Sequence, residues 1–240
     1  HAAPQPDFWV KNVSLRSGVA PMEKEKIPVP TPPQYTQLKN LHLQTALVQN
    51  GKTMVAIAAS GEYAKEAAAL QKVLLAKTGV TVPLLSDQDA VVPLTQNLIL
   101  LGNRSTNAAL GKMYDDFYAL TDLKYPGAGG YEVRSVHNPF GNGYNAIILS
   151  GSDDAGVQTA TQHFIKVLSD QKDTNNSLSV GWLLDVKLGQ NVLLPPTGAG
   201  AMPTWQDSKS YGTSGYFGWN SISKNEALYY MTGDPQYARE

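Results

Sequence analysis

The sequence predicts an α/β (α+β) fold, a mixed β-sheet with two main helices, followed by the beginning of an all-α domain. Three observations carry that reading. Two segments, VAIAASGEYAKEAAALQKVL and AIILSGSDDAGVQTATQHFIKVL, each run from an apolar stretch through Ser-Gly into an amphipathic helix that ends in Lys-Val-Leu. Hairpin signals lie beside them, so the sheet mixes parallel and antiparallel pairs. Past Leu188 the composition shifts to Gly, Pro, Ser and Thr interleaved with aromatics, and the last residues return to a helical pattern.

Residues 1–36 read as an N-terminal extended segment. It holds a strand at Phe8–Leu15 and a proline-dense strap, IPVPTPPQY, at Ile27–Tyr35. From Leu41, two β-compatible runs flank Asn50-Gly51, the pair favoured in a type I′ turn. Ser60-Gly61 then opens a helix in which Tyr63, Ala67, Leu70 and Leu74 repeat at helical spacing, with Gly79 as its stop. TVPLLS and NLILLG are short strands, the second apolar enough to be central. NRSTNAALGKMYDDFYAL suggests a further, less regular helix.

A glycine-rich loop follows, then a strand at Tyr131–His137, a turn at Pro139–Tyr144 and a strand at Ala146–Ser150. LSVGWLLDVKL reads as one more strand after the second main helix. The two strand–helix units lie roughly 85–90 residues apart, too far for a solenoid repeat, and share a building plan. The α/β domain therefore spans 37–188, an aromatic and glycine-rich linker 189–221, and the start of a helical domain 222–240. In the last piece a helix runs from about Ser223 to Thr232, Gly233 stops it, and Asp234 and Pro235 open another. That second helix has barely begun at Glu240, which reads as a fragment of a longer protein.

Composition excludes several classes. Lys and Arg number 19 against 20 Asp and Glu, so no electrostatic footprint for nucleic acid or an anionic membrane exists. No apolar run approaches the roughly 18 residues of a membrane span. With 0 cysteines there is no disulfide, thiolate metal site or Cys nucleophile. Such usage suits a cytosolic protein or a bacterial exported one, and HAAPQPDFW lacks a signal-type apolar core, so any export signal is expected to have been removed. Sequons at Asn12, Asn103 and Asn175 read as chance matches.

The Ser-Gly joint GSDDAG raises the question of phosphate binding, since glycine turns at helix N-termini cradle phosphates. Asp153 and Asp154 would repel such a ligand, yet they suit the first turn of a helix, with Ser152 or Asp153 as cap. No P-loop lysine and no G-x-G-x-x-G accompany them. The joint reads as structural, and no cofactor is expected. A copper brace from His1 with His42, His137 or His163 lacks any recognisable ligand spacing, so no metal is expected either.

For acid–base chemistry, Asp115-Asp116 and Asp153-Asp154 are adjacent pairs that diverge on a helix and suit surface or capping roles. No G-x-S-x-G elbow supports a Ser-His-Asp triad, and His163 beside Phe164 reads as a packing or surface residue.

The order of pieces resembles the non-catalytic N-terminal domain that precedes the catalytic domain in family-20 hexosaminidases and α-glucuronidases. The likeness rests on ILLG at Leu98–Gly102, the GY.V strand at Gly130–Val133 and the I.I.G.D..G joint at Ile147–Gly156, over roughly residues 40–188. EALYYMTGDPQYARE resembles a helix-hairpin phrase of (α/α) toroids in polysaccharide lyases of the heparinase or alginate-lyase sort. These resemblances imply an accessory domain in a secreted or periplasmic polysaccharide-degrading enzyme, a lyase or glycoside hydrolase. Its catalytic residues would lie outside this chain, and its partners would be a downstream helical domain and a polysaccharide or oligosaccharide. In GTSGYFGWN, Tyr216 and Trp219 are stacking candidates for sugar faces and Asn220 a hydrogen-bonding one, although the aromatics equally suit packing between domains. A stand-alone carbohydrate-binding or cell-surface module and a self-contained α/β enzyme are the alternatives.

Overall fold

The computed structural model describes residues 40–171, 176–190, 192 and 225–239. The strand expected at Phe8–Leu15, the strap at Ile27–Tyr35, His1, the sequons at Asn12 and Asn175, and the aromatic segment with Tyr216, Trp219 and Asn220 lie outside them.

Strands β1 (Thr45–Gln49) and β2 (Lys52–Thr53) form an antiparallel hairpin. Asn50 and Gly51 take φ of 50° and 72°, the left-handed pair that a type I′ turn requires. The run after the turn is split, because only β2 pairs back. At Met54 the chain crosses into a second sheet as β3 (Val55–Ala59). LSVGWLLDVKL divides in the same way. Its first part, β8 (Leu178–Val180), joins β1 in a three-stranded sheet of order β2-β1-β8, and its second, β9 (Leu184–Lys187), edges the larger one.

The larger sheet also holds β4 (Leu84–Ser86), β5 (Asn97–Gly102), β6 (Tyr131–Val136) and β7 (Ala146–Gly151), in the order β4-β3-β5-β7-β6-β9. β4, β3, β5 and β7 run parallel, and β6 and β9 pair antiparallel, so the sheet is mixed as expected. β3, β5 and β7 are apolar on both faces because both are covered.

Helices α1 (Ala64–Thr78) and α3 (Asp154–Asp170) bury Leu70, Leu74, Phe164 and Leu168 on one face, against Ile57, Ile99, Val133 and Leu149. The expectation of two main helices is corrected by α2 (Ala108–Asp115), which packs Leu110 and Met113 on the other face, against Ala58, Leu100 and Ile148. α2 is short, yet well specified at both ends. Asn107 Oδ1 accepts from the N–H groups of Ala109 and Leu110, while its Nδ2 donates to Ala58 and Leu101 carbonyls. At the other end Tyr118 N–H reaches Met113 O at 2.8 Å and Phe117 N–H reaches Tyr114 O at 3.0 Å, a Schellman closure with Phe117 at the left-handed position.

After the segment outside the described residues, helix α4 runs through 225–232. Gly233, at φ 67°, closes it with an N–H to Tyr229 O bond of 2.8 Å. Asp234 Oδ1 then accepts from Gln236 N at the start of α5 (Gln236–Arg239). Among the described residues no helix is long and apolar enough to cross a membrane.

Candidate functional site

The GSDDAG joint turns out to be a clamp with no phosphate cradle. Asp153 Oδ1 accepts from Gly156 N at 2.9 Å, which caps α3, and its Oδ2 accepts from Gly129 N at 2.9 Å. Ser152 Oγ accepts from Gly127 N. The glycine loop 127–130 is thereby pinned to the first turn of α3. The contact is so close that a Cβ on Gly156 would lie 2.2 Å from Gly130 O. Asp153 and Ser152 are spent on backbone N–H groups, and Asp154 Oδ1 accepts from the Tyr63 hydroxyl at 3.1 Å.

The candidate face lies beside that clamp, on β6. Alternate residues of a strand face opposite sides. Tyr131 and Val133 join the core under α3, so Glu132 and Arg134 face the other way. Both are buried, at 0% and 2% exposure. Arg134 Nε donates to Glu132 Oε1, while Glu132 Oε2 accepts from Thr121 Oγ1 at 3.0 Å, and the Thr121 hydroxyl meets Ser150 Oγ at 2.8 Å.

Arg134 carries this network to α4. Its Nη2 donates to Tyr230 O, and its guanidinium lies 3.6 Å over the Tyr230 ring. Tyr125 Oη donates to Met231 O at 2.8 Å. Those two carbonyls belong to the last turn of α4, where a helix has no N–H donors of its own left for them and its dipole is negative. The α/β body thus supplies the cap of an incoming helix. Trp182 stacks on Tyr229 with ring centroids 6.3 Å apart, and Leu228 is buried. Burial works against the Arg134 charge, but Glu132, Tyr230 and Tyr125 together hold its pKa above the ordinary value. Burial likewise pushes the Tyr125 and Tyr230 hydroxyls up, so both stay neutral and Tyr125 keeps its proton for Met231 O.

At this seam a cleft of about 550 Å³ opens between Asp122, Lys124, Tyr125, Gln190 and Met231. Although burial opposes it, the N–H groups of Lys124 and Tyr125 and the Tyr114 hydroxyl hold the Asp122 carboxyl below its usual range.

Two other clusters resemble catalytic sets. Ser135 Oγ lies 2.7 Å from His137 Nε2, and His137 Nδ1 donates to His42 O at 2.7 Å. Ser135 is 6% exposed and its oxygen accepts from Leu183 N, so the pair ties β6 to two neighbouring segments. His163 Nδ1 and Asp185 Oδ2 are 3.0 Å apart beside the Tyr131 hydroxyl, with side chains 45% and 51% exposed. This is a surface pair outside any cavity described here, worth little by itself.

Among the described residues no group of three His, Cys, Asp or Glu side chains is placed to hold a metal. The carboxylate pairs behave as expected: Asp115 pairs with Arg104 at the surface, and Asp153 caps. Asn103 is 1% exposed, with Nδ2 bonded to Gly151 O, so its sequon is a chance match.

The sequence reading missed Glu132 and Arg134. A charged stripe in a strand is ordinarily its wet face, and only opposite charges at i and i+2 hinted that the two might satisfy each other. No family model matches the chain, and no curated protein is similar enough to count as a relative.

Proposed function

We propose that this chain is the non-catalytic α/β portion of a secreted or periplasmic polysaccharide-degrading enzyme, and that it seats and orients a helical catalytic domain. The observation that carries the reading is the cap that Arg134 and Tyr125 supply to the carbonyls of Tyr230 and Met231. A buried ion pair aimed at a helix end fixes direction as well as contact, which suits a domain whose task is positioning. The engaged acceptors of the GSDDAG joint and the enclosed Ser135–His137 pair support a non-catalytic role. Tyr216, Trp219 and Asn220 are the proposed glycan contacts.

The test is retention of the chain in native gels cast with alginate, heparin or xylan, run beside an assay for cleavage of the same polymers. Retention without cleavage is expected, weakened by Trp219→Ala. Cleavage by the chain, lost in Ser135→Ala, would overturn the reading in favour of a self-contained enzyme. Unchanged retention in Trp219→Ala would remove the proposed contacts.

A further inference from the structure

A second crevice lies beyond the carboxyl ends of β3 and β5, next to the GSDDAG joint, to which Asn103 Nδ2 is tied through Gly151 O. From β3 the chain passes through α1 to β4 on one side, and from β5 it passes through α2 towards β7 on the other. The β3/β5 boundary is therefore a topological switch point, where open α/β sheets hold ligands beyond the carboxyl ends of their strands. A crevice of about 460 Å³ occupies that position, its charged and hydroxyl lining supplied by Ser60, Glu62, Asp87, Arg104, Ser105 and Thr106.

Its floor is rigid. Asn107 is bonded through Nδ2 to β3 and β5 carbonyls, and Asn103 N–H donates to Thr106 Oγ1 while its Oδ1 accepts from Ser105 N. Its chemistry is unlike that of a nucleotide site. The first three N–H groups of α2, which would meet a phosphate, are engaged: Ala108 by Asp87 Oδ2 at 2.9 Å, Ala109 and Leu110 by Asn107 Oδ1. Arg104 is turned to Asp115 and to the Tyr114 ring. With Arg104 paired to Asp115, the two carboxylates Asp87 and Glu62 outweigh the remaining positive charge, which disfavours a phosphate.

What remains is a set of acceptors and hydroxyls with spare capacity. Asp87 is 8% exposed; its Oδ2 is occupied by Ala108 N and Gln88 Nε2, and no bond to its Oδ1 is made among the described residues. Ser60 Oγ is buried without a hydrogen-bond partner among the described residues, an arrangement that native structures rarely leave uncompensated. Carboxylates are acceptors only and bind hydroxyl donors in short charge-assisted bonds. We infer that this switch-point crevice binds a neutral saccharide unit, its hydroxyls donating to Asp87 and Glu62, and excludes phosphate. The choice of a saccharide among neutral polyols rests on the glycan reading of the domain; the preference for hydroxyl donors over anions does not.

The experiment is amide NMR on the ¹⁵N-labelled 240-residue chain, titrated separately with glucose, mannose, galactose, xylose and inorganic phosphate. At least one sugar is expected to give saturable shifts at Gln88, Ser105 and Thr106, with affinity about tenfold weaker in both Asp87→Asn and Glu62→Gln. Asp87→Asn keeps an acceptor for Ala108 N–H, and Glu62 is exposed, so both variants should stay folded. Phosphate is expected to leave those amides unmoved. Absence of a saturable shift with all four sugars, wild-type affinity retained in both variants, or a phosphate response at the same amides would overturn the inference. Retention on polysaccharide gels without a crevice shift overturns the crevice alone; a crevice shift without retention leaves the crevice standing and removes the enzyme reading.

Discussion

Helices α3 and α4 cover opposite faces of the same strand, β6, and are held by opposite means. Against Tyr131 and Val133, α3 lays a stripe of Val157, Ala160, Phe164 and Leu168 into a continuous apolar core. Over Glu132 and Arg134, α4 is gripped by its carbonyls, with a guanidinium stacked on Tyr230. Apolar burial is non-directional and tolerates repacking, whereas a fork of donors aimed at two carbonyls accepts one register of the helix and one polarity. The first device stabilises the domain. The second fixes the register and polarity of α4.

That contrast is open to direct attack by mutation. The largest effect is expected from Arg134→Met, which strands Glu132 in the interior and should cost about 3–5 kcal/mol in urea unfolding. Arg134→Lys should recover little, since an ammonium cannot both pair with Glu132 and stack on Tyr230; wild-type stability in that variant would refute the directional grip. On the other face Phe164→Ala should cost a similar 3–5 kcal/mol or so, but Phe164→Met only about 1.5 kcal/mol or less. Equal losses in the two Phe164 variants would erase the distinction between the faces.

Asp153→Ala, which frees both Gly156 and Gly129 N–H groups, should cost about 1–2 kcal/mol and accelerate hydrogen exchange at Gly129. Phe117→Gly should raise stability by about 1 kcal/mol, because Phe117 is 84% exposed and holds a left-handed φ of 62° at a helix C′ position. The last effect is confined to alkaline solution. Burial, opposed by Thr106 and reinforced by Asp154, pushes the Tyr63 hydroxyl up to about 12 from an ordinary 10.0. The folded chain therefore keeps this proton where the unfolded chain loses it, and stability should fall as pH rises from 10 towards about 12. Tyr63→Phe should make that part of the profile shallower, leaving the contribution of the buried Tyr125 and Tyr230.

How much of this was legible in the sequence follows from where each signal is encoded. The β3, β5 and β7 runs, the stripes of α1 and α3, the Asn50-Gly51 turn and the Gly233 stop are local patterns, and local chemistry decides them. α2 was blurred because its short apolar stripe is continued by a Schellman closure with Phe at the position glycine usually holds. The splitting of LSVGWLLDVKL between two sheets depends on pairing with β1, which no neighbouring residue announces. Glu132 and Arg134 looked wet because the helix that dries them lies about a hundred residues away. The switch-point crevice needed strand order before it could be recognised at all. Tyr216, Trp219 and Asn220 stand outside the described residues.

The pairing of Thr45 with Val180 has a kinetic consequence. The small sheet joins β1 to β8 only after the whole β3-to-α3 body has been threaded between them, so its loop closure is among the costliest in the domain. β2-β1-β8 is thus a clasp that shuts late. A chain ending before β8 would leave the β1–β2 hairpin with no third strand, below what a small sheet needs to persist. Amides of Thr45 and Val180 should be among the first in the sheets to exchange by partial opening, while those of Ile99 and Ile148 wait for global unfolding.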